Sequence, residues 1–465
     1  MRKSLLLALA LLAALPAGAQ AAKSQITTFE APRDLLDASQ RPKALDELES
    51  LGVKHLRVVL YWKNVAPSPD ARVKPDFDEL DPSSYSWGQY DELLTAAKDR
   101  GWSVLLTVSG PVPRWATNGA KDTTTRPSPN EFRMFMTAVA ARFGDRVAQW
   151  SIWNEPNHPQ FLQPQYDSKK RPLSPKVYRG LYAAALRGLD DAGDAKPVLI
   201  AETAPIGTGK DVAPLTFLRG VLCLNAKYRK TGGCGRLRID GWSHHAYTRK
   251  AGPYFVPDGP NDVTIGVLGR LTKALDRAAN AGVVKKGLPI HLTEFGIQSE
   301  PDPFAGVSFQ RQAEYRSISE QIAYDNPRVR SFSQYLLRDD APVAGASRLA
   351  RYGGFESGLR SSSGKAKPAL DGFRLPLVAS RASKRSSKVR LWGLVRPGEG
   401  TRTVELQVRS GSGSWRRLAT VTSNARGYFS FGTRYAKGRQ WRVRWQEAGG
   451  GATRYGAPTR AYAKP

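Results

Sequence analysis

Between Ser24 and Leu377 one pattern recurs. Short, continuously apolar runs alternate with longer segments whose apolar residues return at helical spacing. The runs Ser24–Glu30, Lys54–Trp62, Trp102–Gly110, Val147–Trp153, Pro197–Thr203, Ile239–Tyr247, Leu288–Phe295 and Val329–Leu337 read as eight strands. Lys43–Leu51, Tyr90–Gly101, Pro129–Phe143, Pro175–Ala192, Ala213–Leu224, Thr264–Ala281 and Phe309–Ala323 read as the helices between them, some with Pro near the start and Gly after the end. Strands that are apolar on both faces belong in a parallel sheet covered on both sides. Eight such repeats over about 350 residues predict a (β/α)8 barrel. The alternative is an open doubly wound sheet, but no Gly-x-Gly-x-x-Gly turn follows the first strand to support it.

Near Val378 the pattern changes. Residues 379–388 are polar and basic without apolar periodicity, which reads as a linker. Beyond them the period becomes two: Val404, Leu406 and Val408 alternate with polar residues, and Trp441, Val443 and Trp445 alternate with arginines. With Gly-rich turns at regular spacing, residues 389–465 predict a small β-sandwich of immunoglobulin or fibronectin type. It contains no His or Cys and few acids, so the chemistry is expected in residues 24–377.

The 465-residue chain has a formal net charge of +29. From Ala379 onward it carries 19 Lys/Arg against 3 Asp/Glu, so over half of the excess lies in the last fifth. Such a surface attracts polyanions in a salt-dependent way. The plainer reading is a surface whose charge only maintains solubility. Arg2 and Lys3, the apolar Leu5–Leu15 and the small residues Ala17-Gly-Ala19 form a leader-like segment, 1–21, with cleavage after Ala19 or Ala21. The apolar run is too short to span a bilayer. Export is therefore expected, to the medium or the cell wall. Cell-wall polymers or acidic polysaccharide then become more accessible partners than nucleic acid, and a monomer is expected. Export favours a disulfide between the only two cysteines, Cys223 and Cys234, worth ~3 kcal/mol by loop entropy. Two free thiols are the alternative.

In a barrel, functional side chains gather where strands end. The fourth run ends in Trp153-Asn-Glu-Pro-Asn157 and the seventh in Thr293-Glu-Phe-Gly296. Glu155 and Glu294 would face each other across the barrel mouth. Two carboxylates there suit glycosidic cleavage, in which one donates a proton and the other attacks or activates water. Asn154 can bond a sugar hydroxyl, and Arg57 can pair with an acid. Trp62 and Trp115 read equally as core or as sugar platforms. Glu202 ends the fifth strand, where a lone Glu is more often solvated. His244 and His245 lack a matching set of metal ligands, and one is expected in the site with the other packed. Tyr335 ends the eighth strand. No cofactor or metal is implied.

These motifs resemble the two signatures of clan A glycoside hydrolases, on the expected fourth and seventh strands, with a leaning toward families 5 and 39 over residues 24–377. The resemblance implies a retaining enzyme, with Glu155 as acid/base and Glu294 as nucleophile. It also implies that Asn154 senses the sugar 2-hydroxyl, that Tyr247 of His245-x-Tyr247 bonds the nucleophile, and that Arg57 supports it. Gly353–Leu359 and Lys367-Pro-Ala resemble a barrel-closing segment. Two departures stand out: Ser109-Gly-Pro-Val-Pro replaces the common His after the third strand, and Tyr335 replaces the common Trp at the eighth. A glycan- or wall-binding protein on an inactive barrel is the competing expectation.

Overall fold

The computed structural model describes residues 25–463, so the expected leader lies outside the described residues. The first domain runs β1 (Ile26–Glu30), α1 (Pro32–Leu35), α2 (Arg41–Ser50), β2 (His55–Tyr61), α3 (Gly88–Asp99), β3 (Ser103–Ser109), α4 (Pro129–Phe143), β4 (Gln149–Ile152), α5 (Ser174–Asp191), β5 (Val198–Thr203), α6 (Pro214–Val221), β6 (Gly241–His244), α7 (Gly269–Asn280), β7 (Ile290–Leu292), α8 (Phe309–Asp325) and β8 (Val329–Tyr335). The eight strands close in sequence order into a parallel barrel, with β1 pairing both β2 and β8. This is the (β/α)8 fold that the alternation predicts.

Local chemistry sets the elements. Helix α4 starts where Ser128 Oγ accepts the Glu131 N–H and Pro129 occupies the first turn, and it buries Phe132, Phe135, Met136 and Val139. It packs tightly on α5. A Cβ on Gly188 would lie 2.5 Å from the Arg133 carbonyl oxygen, so only glycine permits this approach. Within the strands Trp150, Ile152, Leu199, Ile200 and Leu292 are buried, each worth about 1.5–3 kcal/mol. Cys223 and Cys234 are joined by a disulfide, with Cα atoms 6.3 Å apart.

After α9 (Arg348–Arg351) and α10 (Pro368–Arg374) come β9 (Leu377–Arg381), β10 (Lys388–Leu394), β11 (Thr403–Ser410), β12 (Arg416–Thr422), β13 (Tyr428–Arg434), β14 (Arg439–Gln446), β15 (Thr453–Tyr455) and β16 (Thr459–Ala463). They form one eight-stranded sheet, antiparallel except where β16 runs parallel to β9. Its two halves fold over a shared core that includes Leu391, Leu406, Trp441 and Val443.

The structure corrects the expected linker at 379–388. Its ends belong to β9 and β10, which pair antiparallel with Ala379 opposite Leu391. The basic stretch is therefore the exposed end of a hairpin, where polar residues are at home. The sheet domain is also fastened to the barrel. Tyr324 of α8 packs on Tyr428 and Trp392, with ring centroids 4.4 and 5.3 Å away. Arg396 bonds the Glu320 carboxylate, the Phe373 carbonyl at 2.6 Å and Thr27 Oγ1 at 2.9 Å.

Candidate active site

The site forms around a buried guanidinium. Arg57 of β2 points into the barrel mouth and is 1 % exposed. Its Nη1 donates to Glu294 Oε2 at 2.8 Å and also to Glu30 Oε2. Its Nη2 donates to Asn154 Oδ1 and to Glu202 Oε2, each at 2.5 Å. Charge-assisted bonds from one planar fork fix both direction and distance. Burial alone would lower the Arg57 pKa, but Glu202, Glu30 and Glu294 outweigh it and hold the group firmly cationic.

Glu294 lies two residues beyond β7, and Gly296 explains its setting. A Cβ on Gly296 would sit 2.6 Å from the Ser357 Cβ, so only glycine lets the 353–359 segment close here. Ser357 Oγ bonds the Tyr335 carbonyl at 2.6 Å, and the Phe355 ring lies edge-on to Tyr335 at 5.1 Å. Glu294 Oε1 accepts the Tyr247 hydroxyl at 2.7 Å. Burial, then the Glu294 charge, pushes the Tyr247 pKa far up, so its hydroxyl stays a donor.

Glu155 lies three residues beyond β4, and its Oε1 hydrogen-bonds His245 Nδ1 at 2.9 Å. The same Nδ1 is 3.7 Å from Glu294 Oε2. The two carboxylate oxygens are thus no farther apart than the sum of those distances. The imidazole nitrogen thus brings the two carboxylates close together, and retaining pairs are the closer class at ~5–5.5 Å against ~6.5–9.5 Å for inverting ones. Burial lowers the His245 pKa, but Glu294 and Glu155 more than offset it, so the net shift is upward. Both carboxylates remain slightly open, with side-chain exposures of 16 % for Glu155 and 12 % for Glu294.

Backbone strain is concentrated beside these residues. Trp153 and Glu155 adopt φ of 69° and 39°, and Ala201 and Glu202 adopt 93° and 43°. Non-glycine residues in that region cost of order 1–3 kcal/mol each and are held by their surroundings. Here Glu155 N–H donates to the Glu202 carbonyl at 3.1 Å, tying the two strained turns together. The pairing of β5 with β6 also breaks register between Ile200 and Thr203.

Several expected residues take other positions. Trp62 is not a sugar platform. Its ring is buried and stacked on Phe135 of α4 at 4.8 Å, because it turns outward into the helix layer. Trp115 packs edge-on to Trp62 at 5.8 Å, half-buried, with its Nε1 bonded to the Pro67 carbonyl at 3.1 Å. Glu202 is neither solvated nor open to a sugar. It is buried and also accepts the Thr107 hydroxyl at 2.9 Å. His244 is the packed histidine, bonded to Thr203 and to the Val263 carbonyl. Tyr335 sits near Glu294: burial, then the Glu294 and Glu30 charges, raise its pKa.

Two residues escaped sequence reasoning. Glu30 ends β1, and burial pushes its pKa up to about 8 against the lowering effect of Arg57. Ser109, in the departure after β3, accepts the Asn154 backbone N–H at 3.0 Å. The strand-end rule was the available signal for both, Glu30 at the end of β1 and Ser109 at the end of β3.

Comparison with known proteins adds to this geometry. The family model described as Cellulase (glycosyl hydrolase family 5) matches residues 18–165, which carry Glu30, Arg57, Asn154 and Glu155 but not Glu294. No curated protein matches the sequence. Among solved structures, a glucosidase from Croceicoccus marinus is similar at 13% identity and TM-score 0.52, covering 91% of this chain and 96% of that one. A family 39 glycoside hydrolase from Bacteroides cellulosilyticus WH2 is similar at 15% identity and TM-score 0.51, covering 90% and 80%. The chain is thus similar over residues 18–165 to family 5 glycosyl hydrolases and shares its barrel fold with a family 39 glycoside hydrolase.

Proposed function

We propose that this protein is an exported retaining glycoside hydrolase acting on β-linked sugars of an oligosaccharide or polysaccharide. One observation carries the reading: Glu155 and Glu294 flank a single nitrogen of His245, while Arg57 and Tyr247 hold the two oxygens of Glu294. In the first step a Glu294 oxygen attacks the anomeric carbon as the glycosidic bond breaks. The Glu155 proton passes to the leaving oxygen. In the second step Glu155 takes a proton from water, the water oxygen bonds the anomeric carbon, and the ester to Glu294 breaks. Forming the ester removes the Glu294 charge, so Glu155 then faces one less negative neighbour, which favours its role as base. The Cys223–Cys234 disulfide supports an oxidising compartment, in keeping with the leader-like sequence.

Release of reducing ends from a panel of glucans, mannans, xylans and bacterial exopolysaccharides tests the proposal. Release from at least one polymer that stops on Glu294→Gly is expected. Binding without release across the panel would replace this reading with that of a glycan-binding protein.

A further inference from the structure

The second domain has a face whose chemistry the barrel does not use. Alternation along β11 and β14 sends Leu406, Val408, Trp441 and Val443 into the core. Their neighbours point outward, and the pairing arranges them in rows. Arg417, Gln407 and Arg442 line up across β12, β11 and β14. Arg409, Gln440 and Arg460 line up across β11, β14 and β16. Glu405 and Arg444 form a third row with Tyr455 of β15. Five guanidinium groups thus share the face with one carboxylate of the sheet, Glu405, whose partner is Arg444 at 3.7 Å, while Glu314 of α8 borders the cavity beside Arg409 and Arg460.

The arginines are held rather than free. Arg409 and Arg442 each lie 4.5 Å from the Trp415 ring, and Arg442 also lies 4.2 Å from the Tyr455 ring. Each gives its Nε to a glutamine: Arg442 to Gln407 at 2.8 Å and Arg409 to Gln440 at 2.9 Å. Those bonds consume one donor per group and leave the terminal nitrogens for another acceptor. Partial burial lowers the Arg442 pKa, and the nearby Arg409 charge adds to the effect, so like charges are crowded here.

We propose that this face binds a carboxylate-bearing polysaccharide, its carboxylates pairing with Arg409 and Arg442 and its hydroxyls with the Gln440 amide nitrogen; Gln407 is buried and already bonded to Arg442 and Glu405. A planar guanidinium with two free nitrogens matches a carboxylate. Single-stranded nucleic acid needs open aromatic faces for its bases. Here arginines already lie over Trp415 and Tyr455. Because Arg396 and Tyr428 dock the domain on α8, a polymer held here is tethered to the barrel. The inference does not rest on the catalytic reading, because binding is measured without turnover.

The test uses the full chain, as Glu294→Gly, with polygalacturonate, a neutral glucan, polyphosphate and single-stranded DNA as probes at fixed salt. Polygalacturonate is expected to bind best. The charge-preserving pair Arg409→Lys and Arg442→Lys should weaken it about tenfold or more, a measurable shift in affinity, while the circular dichroism spectrum stays unchanged. Equal binding by the lysine pair would reduce the face to non-specific charge and overturn the proposal. Tighter binding of polyphosphate or DNA, or no binding of polygalacturonate, would overturn it as well.

Discussion

Three glutamates of the barrel, Glu30, Glu202 and Glu294, converge on the one guanidinium of Arg57; in the sheet domain, five guanidiniums share a face with one glutamate of the sheet, Glu405. The first arrangement is buried, and further bonds fix two of the partners, Thr107 to Glu202 and Tyr247 to Glu294. The second is largely exposed, and its guanidiniums outnumber the carboxylates beside them, Glu405 and Glu314. Burial makes each barrel pair expensive to break, whereas exposed pairs contribute little. The difference separates a buried cluster whose geometry is fixed from an exposed surface on which like charges are crowded.

The comparison can be broken most sharply at Glu294. Glu294→Gly should remove turnover of aryl glycosides altogether, and substantial residual hydrolysis in a kcat measurement would exclude it as nucleophile. Glu155→Ala should slow substrates with poor leaving groups by about 10²–10⁴-fold, the range for a lost general acid. Activated aryl glycosides should keep part of their rate, and added azide should yield a β-glycosyl azide. An α-glycosyl azide would exchange the two roles.

Stability offers the next contrast. Arg57→Ala should cost about 3–5 kcal/mol in urea unfolding, because it strands buried carboxylates without their partner. Arg442→Ala should cost no more than about 1–2 kcal/mol, the scale of its ring contacts. Equal losses would erase the distinction between the regions. A contrast in pH dependence concerns Glu30. Its pKa of about 8 lies above its ordinary 4.5, so the folded protein retains a proton that the unfolded chain releases. Its stabilising share is therefore complete below about pH 4.5 and is lost as pH rises through about 8. Glu30→Gln should flatten the fall in Tm between those values, and an unchanged Tm–pH curve would rule that share out.

The barrel was legible because eight continuously apolar runs leave little choice of sheet. Glu155 and Glu294 were legible because each follows such a run within a distinctive motif. Glu202 was not. A lone glutamate at a strand end reads as solvated, and only the register break after Ile200 turns it inward to Arg57. Trp62 has the same sequence context as a sugar platform, and its orientation is decided by Phe135 on a helix about 70 residues later, a packing effect that local pattern cannot carry. The hairpin at 379–388 was hidden because its turn is polar and its first strand contributes few inward residues, chiefly Leu377 and Ala379. The arginine face was visible as charge, but its rows required the strand pairing.

The central claim is that Glu155 and Glu294 act as a retaining pair. Proton NMR of the first-formed product from an aryl β-glycoside, read before mutarotation, tests it most directly. The account predicts that the β-hemiacetal appears first, and an α-hemiacetal appearing first would contradict it.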